Sequence, residues 1–161
     1  MLFTAKEIAK ICSGEIKGNE NCLLKFSAAL TDSRNLISSE NTLFFAIKTI
    51  RNDGHNFIHE LYNKGVRGFV VEKSFIPNFD LFSEAVFIYV ENSIKALQQL
   101  ALIHRKSFLT PIIAITGSNG KTIVKEWLYL LLSKYENTLR SPKSYNSQIG
   151  VPLSVLLLNE N

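Results

Sequence analysis

The chain has few of the features that mark membrane, secreted or metal-binding proteins. No apolar run approaches the roughly 18 residues that a membrane-spanning helix needs. Lys6, Glu7 and Lys10 interrupt the N-terminal apolar stretch before a signal peptide could form. Only two of the 161 residues are cysteines, Cys12 and Cys22, and their separation matches no zinc or redox pair. We therefore expect a cytoplasmic protein without disulfides, in which Cys12 is a buried free thiol.

The net charge of +4 is not concentrated in a basic patch. The densest basic cluster, at residues 104–106, falls at the end of a predicted helix, where cationic side chains favour the helix dipole without any ligand. His104 is accordingly interpreted as a helix-end residue. We expect no nucleic-acid binding, whereas a mild positive excess suits an anionic substrate such as a nucleotide diphosphate.

Strand and helix patterns alternate along the chain and predict an α/β fold in two parts. The first part, residues 1–108, is a predicted small mixed α/β domain that begins with a capping box, Thr4-Ala5-Lys6-Glu7. Its last helical pattern runs from Asn92 to about Ser107, and Thr110-Pro111 then interrupts the chain. We place the domain boundary near residues 108–110. The predicted strands of this part are 23–26, 28–31, 43–47, 68–71 and 85–90, with a helix around Phe57, Ile58 and Leu61 that Gly65 ends.

The second part, residues 109–161, has the pattern that opens a parallel α/β sheet. A strand at 112–116, a helix at 121–134, a strand near 138–140 and a helix after Asn146 are predicted. A single βαβ unit cannot bury both faces of its sheet, so we expect this domain to be incomplete and the sequence to be part of a longer protein. The helix at 121–134 is expected to bury one face, formed by Ile123, Trp127, Leu130 and Leu131.

A phosphate-binding loop is predicted between that strand and that helix. The run is Gly117-Ser118-Asn119-Gly120-Lys121-Thr122, and Ile123 follows it into the helix. Its glycines allow a tight turn whose backbone N–H groups converge on an anion at a helix N-terminus. Lys121 would reach the β- and γ-phosphates of ATP, and the Thr122 hydroxyl would hold Mg²⁺. The spacing Gly-x-x-Gly-Lys-Thr is shorter than the usual one, and the alternative is an ordinary glycine turn before a helix.

Three further blocks accompany the phosphate loop. The four blocks are Ile115-Thr116-Gly117-Ser118-Asn119-Gly120-Lys121-Thr122 with Val124-Lys125-Glu126 behind it, Thr31-Asp32-Ser33-Arg34, Leu43-Phe44-Phe45-Ala46-Ile47-Lys48 followed by Asp53-Gly54-His55-Asn56-Phe57, and Tyr145-Asn146-Ser147-Gln148-Ile149-Gly150-Val151-Pro152. Together they resemble the Mur ligase family, in the family's order, and span most of residues 1–158. Thr49 stands where the family usually has glycine, and Ser144 and Ser147 stand where it commonly has asparagine, whereas Asn146 is retained.

The resemblance implies a cytoplasmic, monomeric, ATP- and Mg²⁺-dependent ligase of peptidoglycan synthesis. Such an enzyme joins D-alanyl-D-alanine to UDP-N-acetylmuramoyl-tripeptide through an acyl phosphate. Lys121 and Thr122 would then be catalytic, and the uridine-linked substrate would contact Ser33, Arg34, Lys48, His55 and Asn146. The 161 residues alone are expected to show no ligase turnover.

Other interpretations of these residues stay open at this point. Ser33 and Arg34 could belong to a solvated turn, His55 could be structural, and Asn146 could cap a helix. A sibling ligase that adds the third amino acid is an alternative function. A second alternative is a non-catalytic nucleotide-binding module.

Overall fold

The computed structural model describes residues 2–19, 24–142 and 144–159, so Cys22 lies outside the described residues. Among the residues that the structure describes, every helix is too short or too polar to cross a lipid bilayer. The strands are β1 (Phe3–Thr4), β2 (Glu15–Gly18), β3 (Lys25–Phe26), β4 (Ala28–Leu30), β5 (Thr42–Phe45), β6 (Gly68–Glu72) and β7 (Val86–Val90). The helices are α1 (Ala5–Ile11), α2 (Ile58–Asn63), α3 (Ser93–Lys106), α4 (Lys121–Leu132) and α5 (Gly150–Val155).

The first part of the chain folds around a five-stranded mixed sheet in the order β2-β7-β6-β5-β4. Parallel pairs form between β4 and β5, between β5 and β6, and between β6 and β7, whereas β2 pairs with β7 in the antiparallel direction. Strands β1 and β3 form a separate antiparallel pair. The mixed α/β fold predicted from the sequence is confirmed, and each predicted strand of the first part overlaps an observed one.

The sheet is covered on both faces, which explains why its strands are continuous apolar runs instead of alternating ones. Phe45 packs with α1 and α3 in one cluster, and the adjacent Phe44 packs with α2 in the other. Both rings have no exposed surface because successive side chains of a strand point to opposite faces. Cys12 is a buried free thiol in the first cluster, as expected, and burial raises its pKa to about 12.

Local signals for helix ends agree with the structure. Glu7 Oε2 accepts from the Thr4 backbone N–H at 2.8 Å, while Thr4 Oγ1 accepts from the Glu7 N–H at 3.3 Å, which completes the predicted capping box. Asn92 caps α3 by accepting from the Lys95 N–H. Gly65 adopts the left-handed conformation, with φ +97°, after α2.

Two strand predictions for the second part are wrong. Residues 112–116 and 138–140, both within the described part of the chain, form no strand. Helix α4 forms, but the face predicted to be buried is exposed, with Trp127 64% and Leu131 62% accessible. Ile123 and Leu130 are more than half exposed as well. The physical reason is that, among the described residues, no strand pairs with 112–116, so α4 has no sheet surface there on which to bury that face.

Helix α5 instead packs on α3 of the first part. Leu156, just after α5, is only 5% exposed and joins the cluster that contains Leu97 and Leu100 of α3. His104 lies in the last turn of α3 and is buried, and its Nε2 donates to the Leu158 carbonyl at 2.9 Å. Burial lowers the pKa of His104, and the bond to Leu158 offsets part of that effect. Residues on both sides of the predicted boundary near 108–110 therefore share one core, and that boundary stays a prediction.

Candidate functional site

The carboxyl ends of the parallel strands bring several predicted site residues to one edge of the sheet. The turn with Ser33 and Arg34 follows β4, and Lys48 follows β5. His55 hydrogen-bonds to Glu72, the last residue of β6. In open α/β sheets, ligands bind outside the carboxyl ends of the strands. The chain therefore presents Arg34, Lys48 and the His55 turn where that rule places a ligand.

The Asp32–Arg34 turn presents a guanidinium group that is accessible but already paired. Asp32 Oδ1 accepts from the Arg34 backbone N–H at 3.1 Å, which starts the 3-10 helix Ser33–Asn35. The Arg34 fork donates from Nε to Oδ1 at 2.9 Å and from Nη2 to Oδ2 at 2.7 Å. The side-chain hydrogen bond from Arg34 lowers the pKa of Asp32, although burial opposes it. Since the Arg34 side chain is 86% exposed, a phosphate could share or replace Asp32 as its partner.

Ser33 is the buried residue of this turn. The residue is only 7% exposed, and its backbone carbonyl accepts from the Leu36 N–H within the 3-10 helix. Arg34 is thus the exposed side chain of this turn, and Ser33 is buried.

Lys48 and Asp53 face each other across a short turn. Their backbones form an isolated antiparallel bridge, and Lys48 Nζ lies 3.9 Å from Asp53 Oδ2. Thr49 and Asn52 close the turn between them: the Thr49 N–H donates to the Asn52 carbonyl at 2.8 Å, and Thr49 Oγ1 accepts from the Asn52 N–H at 3.1 Å. The Lys48 side chain is 59% exposed, so its ammonium group remains accessible to a ligand.

His55 has internal partners for both ring nitrogens. Its Nε2 accepts from the Glu72 backbone N–H at 3.1 Å, so the ring proton lies on Nδ1, which is 2.6 Å from Asp53 Oδ1. The side chain is only 8% exposed, and its ring packs on Phe75 with centroids 5.0 Å apart. Neither nitrogen is free to contact a ligand in this arrangement.

Both glycines of the predicted phosphate loop have a positive φ. Gly117 and Gly120 have φ values of +144° and +77°, which residues other than glycine rarely adopt. Gly120 precedes α4, and no side chain caps the helix. The first N–H groups of a helix have no intrahelical partner, so they and the helix dipole point at any anion bound there.

Lys121 curls back over this loop. Its Nζ donates to the carbonyl of Gly117 and, at 3.3 Å, to that of Ser118. Ser118, Asn119, Thr122 and Ile123 are exposed, which leaves their polar groups accessible. The uncapped amides and the ammonium group suit a nucleotide phosphate, and the Thr122 hydroxyl is a suitable oxygen ligand for Mg²⁺. Within the described ranges, no group of three or more His, Cys, Asp or Glu residues could hold a metal ion.

Charged residues of α4 contact the segment that follows the helix. Lys125 Nζ donates to the Ser141 carbonyl at 2.9 Å and lies 3.1 Å from Glu126 Oε1. Glu126 also pairs with Arg140, whose guanidinium lies 4.1 Å from the centre of the Tyr129 ring. Lys125 follows Lys121 by four residues, about one helical turn. That spacing in the sequence indicates that the two lie on one face of α4. These contacts attach residues 140–141 to α4.

Asn146 does not cap the helix that follows it. The Gly150 N–H instead donates to Ser147 Oγ at 3.0 Å, and Asn146 is exposed. Ser147 stands at a position where the family commonly has asparagine, and its hydroxyl thus makes a local hydrogen bond. The amide of Asn146 remains accessible.

Comparisons with known proteins agree on one family, although the chain matches no family model. It is 32% identical over 158 residues to UDP-N-acetylmuramoyl-tripeptide–D-alanyl-D-alanine ligase of Bacillus subtilis, which covers 98% of the chain and 34% of that protein. The corresponding Borreliella burgdorferi ligase is 37% identical, covering 100% of the chain and 35% of that protein. A crystal structure of MurF from Acinetobacter baumannii superposes with a TM-score of 0.85 at 29% identity, over 99% of the chain and 34% of its own. Over almost its whole length, the chain is therefore similar to about a third of a Mur ligase.

Structural similarity to Mur ligases extends across both parts of the chain. The MurF ligase of Thermotoga maritima, solved in complex with ADP, covers 80% of the chain with a TM-score of 0.65 and 30% identity. The chain spans about a third of the length of the curated Mur ligases that it matches. The resemblance inferred from four sequence blocks is confirmed.

Proposed function

We propose that the chain forms the uridine-nucleotide-binding domain and the phosphate loop of an ATP-dependent ligase. The ligase would join D-alanyl-D-alanine to UDP-N-acetylmuramoyl-tripeptide in peptidoglycan synthesis. The observation that carries the proposal is the similarity of the chain, over 98 to 100% of its length, to ligases named for that reaction.

The second part of the chain suits the activation of a carboxylate. A carboxylate oxygen of the tripeptide would attack the γ-phosphorus of ATP bound with Mg²⁺, which would form an acyl phosphate and release ADP. The amine of D-alanyl-D-alanine would then attack the carbonyl carbon, form the amide with loss of a proton, and release inorganic phosphate. Lys121 and the N–H groups at the start of α4 would neutralise phosphate charge, which is the main protein contribution to phosphoryl transfer. Thr122 would contribute its hydroxyl to Mg²⁺.

The sheet edge of the first part suits the uridine diphosphate moiety. Arg34 and Lys48 carry accessible cationic groups at the ends of neighbouring strands, and we propose that both contact the diphosphate. Ser33, buried beneath Arg34, would contribute by holding the turn. Asn146 retains an accessible amide, which supports a contact to substrate or phosphate from the second part.

Separate titrations of UDP, UDP-N-acetylmuramoyl-tripeptide and ATP against the 161-residue chain test the proposal. We expect uridine-nucleotide binding that Arg34→Ala weakens at least about tenfold, the loss expected for a charge-assisted hydrogen bond. Lys64→Ala is the matched control, because Lys64 also pairs with an exposed carboxylate, that of Glu60, but precedes the amino end of β6.

The outcomes separate the candidate functions. Tight binding of ATP without binding of UDP would refute the assignment of the first part. Binding of UDP with a preference for the dipeptide-linked precursor over the tripeptide-linked one would favour the sibling ligase that adds the third amino acid. The cytoplasmic location and the monomeric state stay predictions, which cell fractionation and analytical sedimentation would test respectively.

A further inference from the structure

The Asp53 carboxylate lies between two cationic or proton-donating side chains at the proposed nucleotide edge. Its Oδ1 is 2.6 Å from His55 Nδ1 and also accepts from the His55 backbone N–H at 3.0 Å. Its Oδ2 is 3.9 Å from Lys48 Nζ. One carboxylate therefore connects a buried imidazole to an accessible ammonium group.

The bond from Glu72 fixes the direction in which His55 can act. A backbone N–H can only donate, so Nε2 carries a lone pair, and the proton must lie on Nδ1 and point at Asp53. The ring is also held between this bond and the face of Phe75. His55 is thus a rigid, neutral donor that fixes Asp53 to the end of β6.

The main chain between Lys48 and Asp53 is rigid as well. Thr49 and Asn52 close the turn through both main-chain and hydroxyl hydrogen bonds, including Thr49 Oγ1 to the Asn52 carbonyl at 3.0 Å. The Gly54 N–H donates to the Ile47 carbonyl at 3.0 Å, just before Lys48. The turn therefore fixes the main chain of Lys48, and Asp53 pairs with its side chain.

We propose that His55 is a positioning residue for the nucleotide diphosphate, acting through Asp53 on Lys48 and not by contact with the ligand. The inference rests on the proposed uridine-nucleotide site and changes the role that the sequence suggested for His55. The donated hydrogen bond spreads the negative charge of Asp53, so the carboxylate aligns Lys48 with less repulsion of an incoming phosphate. It also removes the freedom of Asp53 to turn away from Lys48.

Two substitutions separate the functions of the ring. His55→Phe keeps an aromatic ring against Phe75 but removes both hydrogen bonds, while His55→Asn keeps a donor near the position of Nδ1. We expect His55→Phe to weaken UDP binding about tenfold and His55→Asn to lose less than about threefold. His59→Phe is the control, because His59 is an exposed residue of α2.

A double-mutant cycle with Lys48→Met tests whether the effect passes through Lys48. In the Lys48→Met background, His55→Phe should change the UDP dissociation constant less than twofold. An equal loss in both backgrounds, or no loss in either, would overturn the inference while leaving the nucleotide site intact. Failure of the unmodified chain to bind UDP would overturn the proposed function, and the inference with it.

The free protein supplies a readout that does not depend on nucleotide. Burial raises the pKa of Asp53, but the side-chain and backbone hydrogen bonds from His55, together with the charge of Lys48, outweigh it and hold the pKa below its usual value. In a titration followed by NMR of the carboxyl carbon, His55→Phe should raise the Asp53 pKa, and His59→Phe should leave it unchanged. An unchanged pKa in His55→Phe would contradict the proposed hydrogen bond.

Discussion

Replacing Gly54 by alanine should damage both stability and nucleotide binding, because a Cβ atom there has no room. It would lie 2.7 Å from the Ile47 backbone nitrogen and 3.0 Å from its carbonyl oxygen, where ordinary contacts begin at 3.4 Å. The main chain on one side must therefore retreat by about 0.7 Å, and main chain in a closed turn cannot rotate away as a side chain can. Overpacking of this kind costs about 1–3 kcal/mol, and loss of the bond from Gly54 to Ile47 adds about 1 kcal/mol.

The expected cost of about 2–4 kcal/mol should lower the midpoint of thermal unfolding by at least about 4 °C. The same displacement would separate Lys48 from Asp53, so the folded variant should bind UDP less tightly, as measured by calorimetry well below its Tm. Gly68→Ala is the matched control: its Cβ would lie 2.2 Å from the buried ring of Phe26, at the amino end of β6. It should lower Tm at least as much but spare UDP affinity. An unchanged Tm for Gly54→Ala, or equal losses of affinity in the two variants, would refute this reasoning.

Three further predictions concern burial. Trp127, the only tryptophan, is 64% exposed, so its fluorescence should be quenched readily by iodide, and protection from iodide would contradict the exposed face of α4. In a Cys22→Ser variant, the Cys12 thiol should react with a disulfide reagent at pH 8 only after unfolding, because burial raises its pKa to about 12. Burial lowers the pKa of His104, so the unfolded chain binds a proton more readily and stability should fall as the pH drops below about 6.5. His104→Gln should remove that part of the slope of Tm against pH.

Features set by neighbouring residues were predictable from the sequence. The Thr4–Glu7 capping box and the left-handed Gly65 depend on contacts within one turn, and both are present. The resemblance also identified Arg34 and Lys48, which follow the neighbouring strands β4 and β5. Local chemistry and motif spacing therefore determined most of the first part.

Features that depend on distant partners were not predictable. The strand expected at 112–116 needs a neighbouring strand, and the face of α4 with Trp127 needs a sheet to cover. The tautomer of His55 is set by Glu72, a residue 17 positions later, which no spacing rule indicates.

The packing of α5 on α3 also has a consequence for the timing of folding during synthesis. The carbonyl that pairs with His104 lies 54 residues further along the chain, and ribosomes add roughly 5–20 residues per second. The cluster that contains α3 therefore acquires Leu156, and His104 acquires its partner at Leu158, only when residues added roughly 3–11 seconds after His104 are in place. During that interval the outer side of α3 remains uncovered, and a chaperone could bind there.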